Sequence, residues 1–196
     1  MFICYIMLFL EETKPVVFDL DDFCEEIMTE VLWGLLFGLK QRHPKLKVTL
    51  FTIPLKCSER WLREHKLDWM ELHYHGSDHE DRDEWMGKTQ IDFPYEGLFY
   101  KGFKAPWFRM DQITADALSS QGYMISTRRG KFDVNAKRVY RYNEGKPIIE
   151  DVWYEQEKFH AIHSHVQHQK RGDGLPDIID KIVFPKNADF LFVSEV

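Results

Sequence analysis

Three short apolar runs, Lys14-Pro-Val-Val-Phe-Asp-Leu20, Lys47-Val-Thr-Leu-Phe-Thr-Ile53 and Asp68-Trp-Met-Glu-Leu-His73, are separated by helical patterns. Runs of this kind, rich in β-branched and aromatic residues, suit strands buried on both faces, the usual state of strands in a parallel sheet. From Phe23 to Arg42 the chain reads FCEEIMTEVLWGLLFGLKQR, with apolar residues three and four apart, basic residues at its end and Pro44 just beyond, which predicts a helix. Ser58 to Lys66 reads as a short helix opened by a serine cap. Repeated strand, helix, strand with short connections is the pattern of an α/β fold, either an open doubly wound sheet or a closed barrel. Both place their ligand site at the carboxyl ends of the strands.

Farther on, residues 76 to 97 are acidic, aromatic and without a clear period, and are expected to form a long functional loop. A fourth strand over Gly97 to Lys104 runs into the turn Ala105-Pro106-Trp107. Then follow a helix from Asp111 to Ser120 closed by Gly122, a strand from Tyr123 to Ser126, and polar turns or a hairpin over Gly130 to Asp151. Lys158 to His165 is expected as a strand, Leu175 to Val183 as a helix and Asp189 to Val193 as a last strand. The opening MFICYIMLFL has no basic flank or cleavage site and is too short to span a bilayer, so it reads as a buried strand, and the cytoplasm is the expected location. With 196 residues, 44% of them hydrophobic and 15% aromatic, one domain over 1–196 is expected. A net charge of -6 argues against nucleic acid as a partner, and nothing points to a membrane. Cys4, Cys24 and Cys57 fit neither a disulfide framework nor a metal knuckle and read as thiols.

The polar residues collect at the strand ends. The first strand ends in Asp19-Leu-Asp-Asp22, the third in His73-Tyr-His-Gly-Ser-Asp-His79, the fourth in Lys104-Ala-Pro-Trp107 and the late one in His160-Ala-Ile-His-Ser-His165. On a helical turn, His75 and His79 would face the same way and could bind one metal, with a carboxylate from another strand as third ligand and positions left open for water and substrate. Asp21 and Asp22, adjacent on an extended strand, should point to opposite sides, so that one could bind the metal while the other takes a proton from water. Asp19 is given a structural or supporting role, and His73 an inward-facing or supporting one. Alternation places His163 and His165 on one face, and only one of them need act; His160 and His168 read as exposed strand-end residues.

In this order the motifs resemble the polysaccharide deacetylases, the NodB-like carbohydrate esterases. The resemblance rests on Asp21-Asp22 in FDLDDF, His75 and His79 in HGSDH, Lys104-Ala-Pro106-Trp107 in GFKAPWF and His163 in FHAIH, with the helix DQITADALSSQGYMIST and the closing ADFLFVSEV in support. It implies a distorted (β/α) barrel with fewer than eight strands. It also implies a metal-dependent hydrolase of a non-peptide amide bond that deacetylates an N-acetylated sugar or oligosaccharide. Asp22, His75 and His79 would hold one divalent metal, zinc with cobalt or nickel as alternatives, Asp21 would be the base and His163 the acid. The Trp107 backbone N–H would help hold the oxyanion, and Pro106, Trp107, His165 and Trp153 would contact substrate. The sequence departs from the family in three places: Phe23 stands for the glycine after the acid pair, Lys104 for the motif arginine, and Asp151-Val-Trp153 is a reduced fourth motif. Two other readings stay open: a non-catalytic carbohydrate-binding module whose aromatic loop 85–107 stacks on sugars, and a structural His/Asp cluster.

Overall fold

The computed structural model describes residues 14–128, 139–142, 151–152, 159–167, 172, 174–180, 184 and 187–196. The expected strand over the first ten residues, most of 130–151, Trp153 and His168 lie outside them. Nine strands are present among the described residues: β1 Val16–Phe23, β2 Val48–Thr52, β3 Met70–Tyr74, β4 Gly102–Lys104, β5 Met124–Arg128, β6 Val139–Tyr142, β7 Asp151–Val152, β8 His160–His165 and β9 Phe190–Leu191. Their order is β6-β5-β4-β3-β2-β1-β8-β7, with β9 on β1, and every pairing is parallel except β7 with β8. Six parallel strands, β5 through β1 and then β8, make the wall of an incomplete barrel, β6 and β7 lie at its margins, and the two-residue β9 pairs with the start of β1. Every residue of β1 and β2 is buried, as their unbroken apolar runs require.

The helices are α1 Glu30–Arg42, α2 Glu59–His65, α3 Gln112–Ser120 and the single turn α4 Leu175–Ile178. No helix among the described residues is long and apolar enough to cross a membrane. The first helix starts later than the sequence pattern suggests. Strand β1 continues through Phe23, and a turn follows in which the Ile27 and Met28 N–H groups donate to the Cys24 carbonyl at 3.2 and 3.0 Å. Thr29 then caps α1, its hydroxyl accepting from the Leu32 N–H at 3.4 Å. Phe23 and Cys24 are buried by a strand and a turn, and their apolar spacing mimics an earlier helical turn. The acid pair is therefore not at a helix N-terminus. The fourth strand is also shorter than expected, because Glu96–Leu98 forms a 3-10 turn before it.

The long segment after β3 fills the core. Tyr74 lies between Phe93 and Phe99, with ring centroids 4.0 and 4.1 Å away and planes within 13° and 9° of parallel. Trp85 packs against Phe93 at 5.3 Å and Phe103 at 4.5 Å. Large aromatic areas buried in offset stacks give such a segment the stability that its lack of regular structure withholds.

Candidate active site

Strand β1 supplies three carboxylates. Its pairing with β2 shifts between Leu20 and Phe23, and within that bulge Asp22 takes a left-handed backbone with φ 63°. Such a conformation in a non-glycine residue costs on the order of 1–3 kcal/mol. The bulge overturns the expectation that the two acids face opposite ways: His75 Nε2 is 3.7 Å from Asp21 Oδ2 and 3.5 Å from Asp22 Oδ1. One imidazole thus faces both carboxylates.

His75 leaves the end of β3 with its Nδ1–H donating to the Lys104 carbonyl at 3.0 Å, which turns Nε2 toward the acids. His79 does not come round on a helical turn as expected. The chain instead bends through Gly76 at φ 69° and His79 at φ 62°, and a Cβ at Gly76 would lie 2.6 Å from Pro106 Cγ, so glycine is required there. This loop places His79 Nε2 3.5 Å from Asp22 Oδ1, with the two imidazole centroids 5.0 Å apart. Asp22 Oδ2 accepts from Gln167 Nε2 at 3.3 Å, whereas Oδ1 is buried with no hydrogen-bond partner. A buried carboxylate oxygen without a partner is costly unless a cation completes it. The ligand atoms of Asp22, His75 and His79 lie within 4.8 Å of one another, and one carboxylate with two imidazoles is a donor set suited to a divalent ion with open positions. These residues fit the group that the resemblance implies.

The electrostatics fit the same picture. Burial would raise the Asp22 carboxyl, but the adjacent His75 more than offsets it and holds the group below its ordinary range. Burial would lower His75, yet Asp21 and Asp22 raise it. His79 is pushed down, chiefly by burial. Asp21 is also opposed by burial, but the Lys104 ammonium and the imidazoles of His75, His163 and His165 hold it far below the carboxylate range.

Lys104, the last residue of β4, is fully buried, and its Nζ lies 2.8 Å from Asp21 Oδ1 and 3.3 Å from Asp19 Oδ1. The ammonium also sits over the Phe51 ring at 4.3 Å. From β8, His163 stands opposite Asp19 and His165 opposite Asp21. The His163 Nδ1–H donates to Asp19 Oδ1 at 2.8 Å, and its Nε2 faces Asp21 Oδ2 at 3.7 Å. His160 pairs with Val16 at the far end of the strand. His73 is fully buried, bonded to Glu71 at 2.7 Å and stacked on Tyr100. Pro106 is buried in a 3-10 turn, Pro106–Phe108, where Trp107 and Phe108 have φ of 53° and 55°. Trp107 is 43% exposed, and its ring lies 4.5 Å from that of His79.

No family model and no curated protein matches the sequence. Solved structures do. A peptidoglycan N-acetylglucosamine deacetylase matches at TM-score 0.53 and 16% identity over 92% of this chain and 86% of its own. The chitin deacetylase from the fungal pathogen Colletotrichum lindemuthianum matches at TM-score 0.50 and 14% identity, over 93% and 88%. A family 4 carbohydrate esterase from Streptomyces lividans in complex with acetate matches at TM-score 0.50 and 12% identity, over 86% and 87%. The fold is that of the polysaccharide deacetylases.

Within this deacetylase fold the departures seen in the sequence have structural counterparts. Phe23 is buried against Trp33 and Trp61, with ring centroids at 5.8 and 5.3 Å, so its bulk is used in packing. Lys104 reaches both Asp21 and Asp19 with a point charge rather than the planar fork of an arginine. Asp19, expected in a structural or supporting role, contacts His163 and Lys104, and its place two residues before Asp21 on one strand puts both acids on one face. One residue of the site is missing from the sequence reading. Gln167, which touches Asp22, has no sequence signal at all. The reading of the aromatic loop as a sugar platform is corrected: Trp85, Phe93 and Phe99 are buried core residues, and Trp107 remains as the exposed aromatic beside the site.

Proposed function

We propose that the chain is a metal-dependent hydrolase of a non-peptide amide C–N bond, deacetylating an N-acetylated sugar or oligosaccharide. One observation carries the reading: the unpartnered Asp22 Oδ1 faces His75 and His79 Nε2, each at 3.5 Å, beside the ion-paired Asp21 and Lys104. The sugar substrate is supported by the fold's likeness to enzymes described as chitin and peptidoglycan N-acetylglucosamine deacetylases. Asp22, His75 and His79 would hold one divalent ion, zinc in our reading, with cobalt or nickel as substitutes. Such an ion polarises an acyl carbonyl and acidifies water.

The remaining steps belong to the chain. Asp21, ionised at neutral pH, takes the proton of the attacking water, and Lys104 keeps its carboxylate aimed. His163, oriented through Nδ1 by Asp19, presents Nε2 to protonate the departing amine. The Trp107 backbone N–H contributes to holding the oxyanion. Its ring, Pro106 and His165 shape the sugar site.

The test pairs elemental analysis with turnover. About one tightly held equivalent of divalent metal is expected to remain in the wild type after dialysis against metal-free buffer, and no tightly held equivalent in His75→Ala or His79→Ala, as a three-ligand site requires. Asp21→Asn should keep the metal and lose deacetylation of N-acetylglucosamine oligomers. A wild type that takes up no metal after add-back, or an Asp21→Asn variant with full turnover, would overturn the proposal.

A further inference from the structure

We propose that Asp21, His163 and His165 form a second divalent-cation site, which fills after the Asp22, His75 and His79 site and arrests the protein when occupied. One ligand atom from each of the three residues lies within 4.8 Å of the others. The convergence is built into the pairing of β1 with β8, where His165 stands opposite Asp21 and His163 opposite Asp19. His163 is held as a ligating imidazole usually is, with one ring nitrogen donating to a buried carboxylate, Asp19 Oδ1 at 2.8 Å, and the other turned inward. His75 is tied in the same manner through the Lys104 carbonyl. His165 Nδ1 is buried with no hydrogen-bond partner, an orphaned imidazole nitrogen within the cluster.

Two imidazoles and one carboxylate favour zinc, cobalt or nickel over magnesium or calcium, which prefer oxygen. Lys104 sets the order of filling. Its ammonium, 2.8 Å from Asp21 Oδ1, repels a cation at this site and leaves Oδ2 as the oxygen toward the imidazoles. Asp21 Oδ2 is 3.7 Å from both His75 Nε2 and His163 Nε2, so Asp21 stands between the two sites. A cation there would occupy the two groups to which we assign proton transfer. The arrest rests on the hydrolase reading; the binding does not.

The test is a cobalt(II) titration of metal-stripped wild type, His165→Ala, His165→Gln and His75→Ala, with stoichiometry by equilibrium dialysis and anomalous diffraction from cobalt-soaked crystals. The wild type should take two equivalents, the second ~10-fold or more weaker because of the nearby ammonium. Both His165 variants should take one equivalent with the tight constant unchanged, and His75→Ala should lose the tight step. The second anomalous peak should lie among Asp21, His163 and His165. Two equivalents in both His165 variants, or a single one in the wild type, would overturn the site. Rates on an N-acetylated sugar, taken as the ratio of excess cobalt to one equivalent, should fall in the wild type and stay level in His165→Ala. A wild-type ratio that stays level while the second equivalent binds would overturn the arrest. A wild type without turnover would sink the hydrolase reading and leave the stoichiometry to decide the site.

Discussion

Tyr74 and His75 are neighbours in the chain, yet they belong to regions built on opposite terms. Tyr74 lies in an aromatic stack with Phe93 and Phe99, backed by Trp85 and Phe103, and its hydroxyl donates to the Pro94 carbonyl at 3.0 Å. His75 turns into a floor of ionised groups where Asp22, His79 and Trp107 all hold left-handed backbones and Asp22 Oδ1 is buried without a partner. In the first region every ring gains from its neighbours. In the second, strain and desolvation are concentrated and compensated only in part. A region satisfied by itself supports the fold, and one left incomplete is poised for a ligand.

Substitutions on the two sides should therefore separate stability from turnover. Phe93→Ala removes one side of the stack and is expected to cost about 3–5 kcal/mol in chemical denaturation, with metal bound per folded molecule unchanged. If it reduces metal uptake at native temperatures, the two regions are coupled. Asp21→Asn should instead lower turnover ~10³-fold, or about 4 kcal/mol in the barrier, with metal uptake kept, and it should also lower the melting temperature because it takes a charge from the buried pair with Lys104. Chelator should then destabilise the wild type by about 2.7 kcal/mol relative to protein with free metal at a hundred times its Kd. In His75→Ala the part of that effect that comes from the tight site should be lost.

The size of that chelator effect should depend on pH. The folded value of His75 lies above the ordinary 6.5, so in metal-free protein its contribution is full below 6.5 and is lost as pH rises through the folded value. Metal needs the neutral imidazole, so its stabilisation should grow as pH rises from 6.5 through that folded value. A chelator effect that shrank over that range would remove His75 from the ligand set. The smallest effect concerns strain. Trp107 has φ 53°, so Trp107→Gly should be more stable than Trp107→Ala by about 1 kcal/mol in thermal unfolding.

What could be read from the sequence was the content of the strand ends. Acids and imidazoles are scarce in buried strands, so their places at Asp21, Asp22, His75, His79 and His163 stood out against apolar runs, and strand alternation put His163 beside His165. What stayed hidden depends on contacts between distant segments. The bulge at Asp22 arises from the register of β1 against β2, and the Asp19 to His163 bond joins residues 144 apart. The late start of α1 and the inward turn of the aromatic loop have the same origin. Local spacing in both segments is compatible with helix or platform, and burial against the sheet decided otherwise.

Lys104 carries one further consequence. Its carbonyl steadies the ring of His75, and its ammonium steadies the carboxylate of Asp21. The two halves of the centre are thus fastened to a single joint at the tip of β4, and neither can be retuned alone. A longer side chain there, such as Lys104→Arg, would have to fit a fully enclosed slot and would shift the carbonyl together with the charge. Ion binding and proton handling would drift in step.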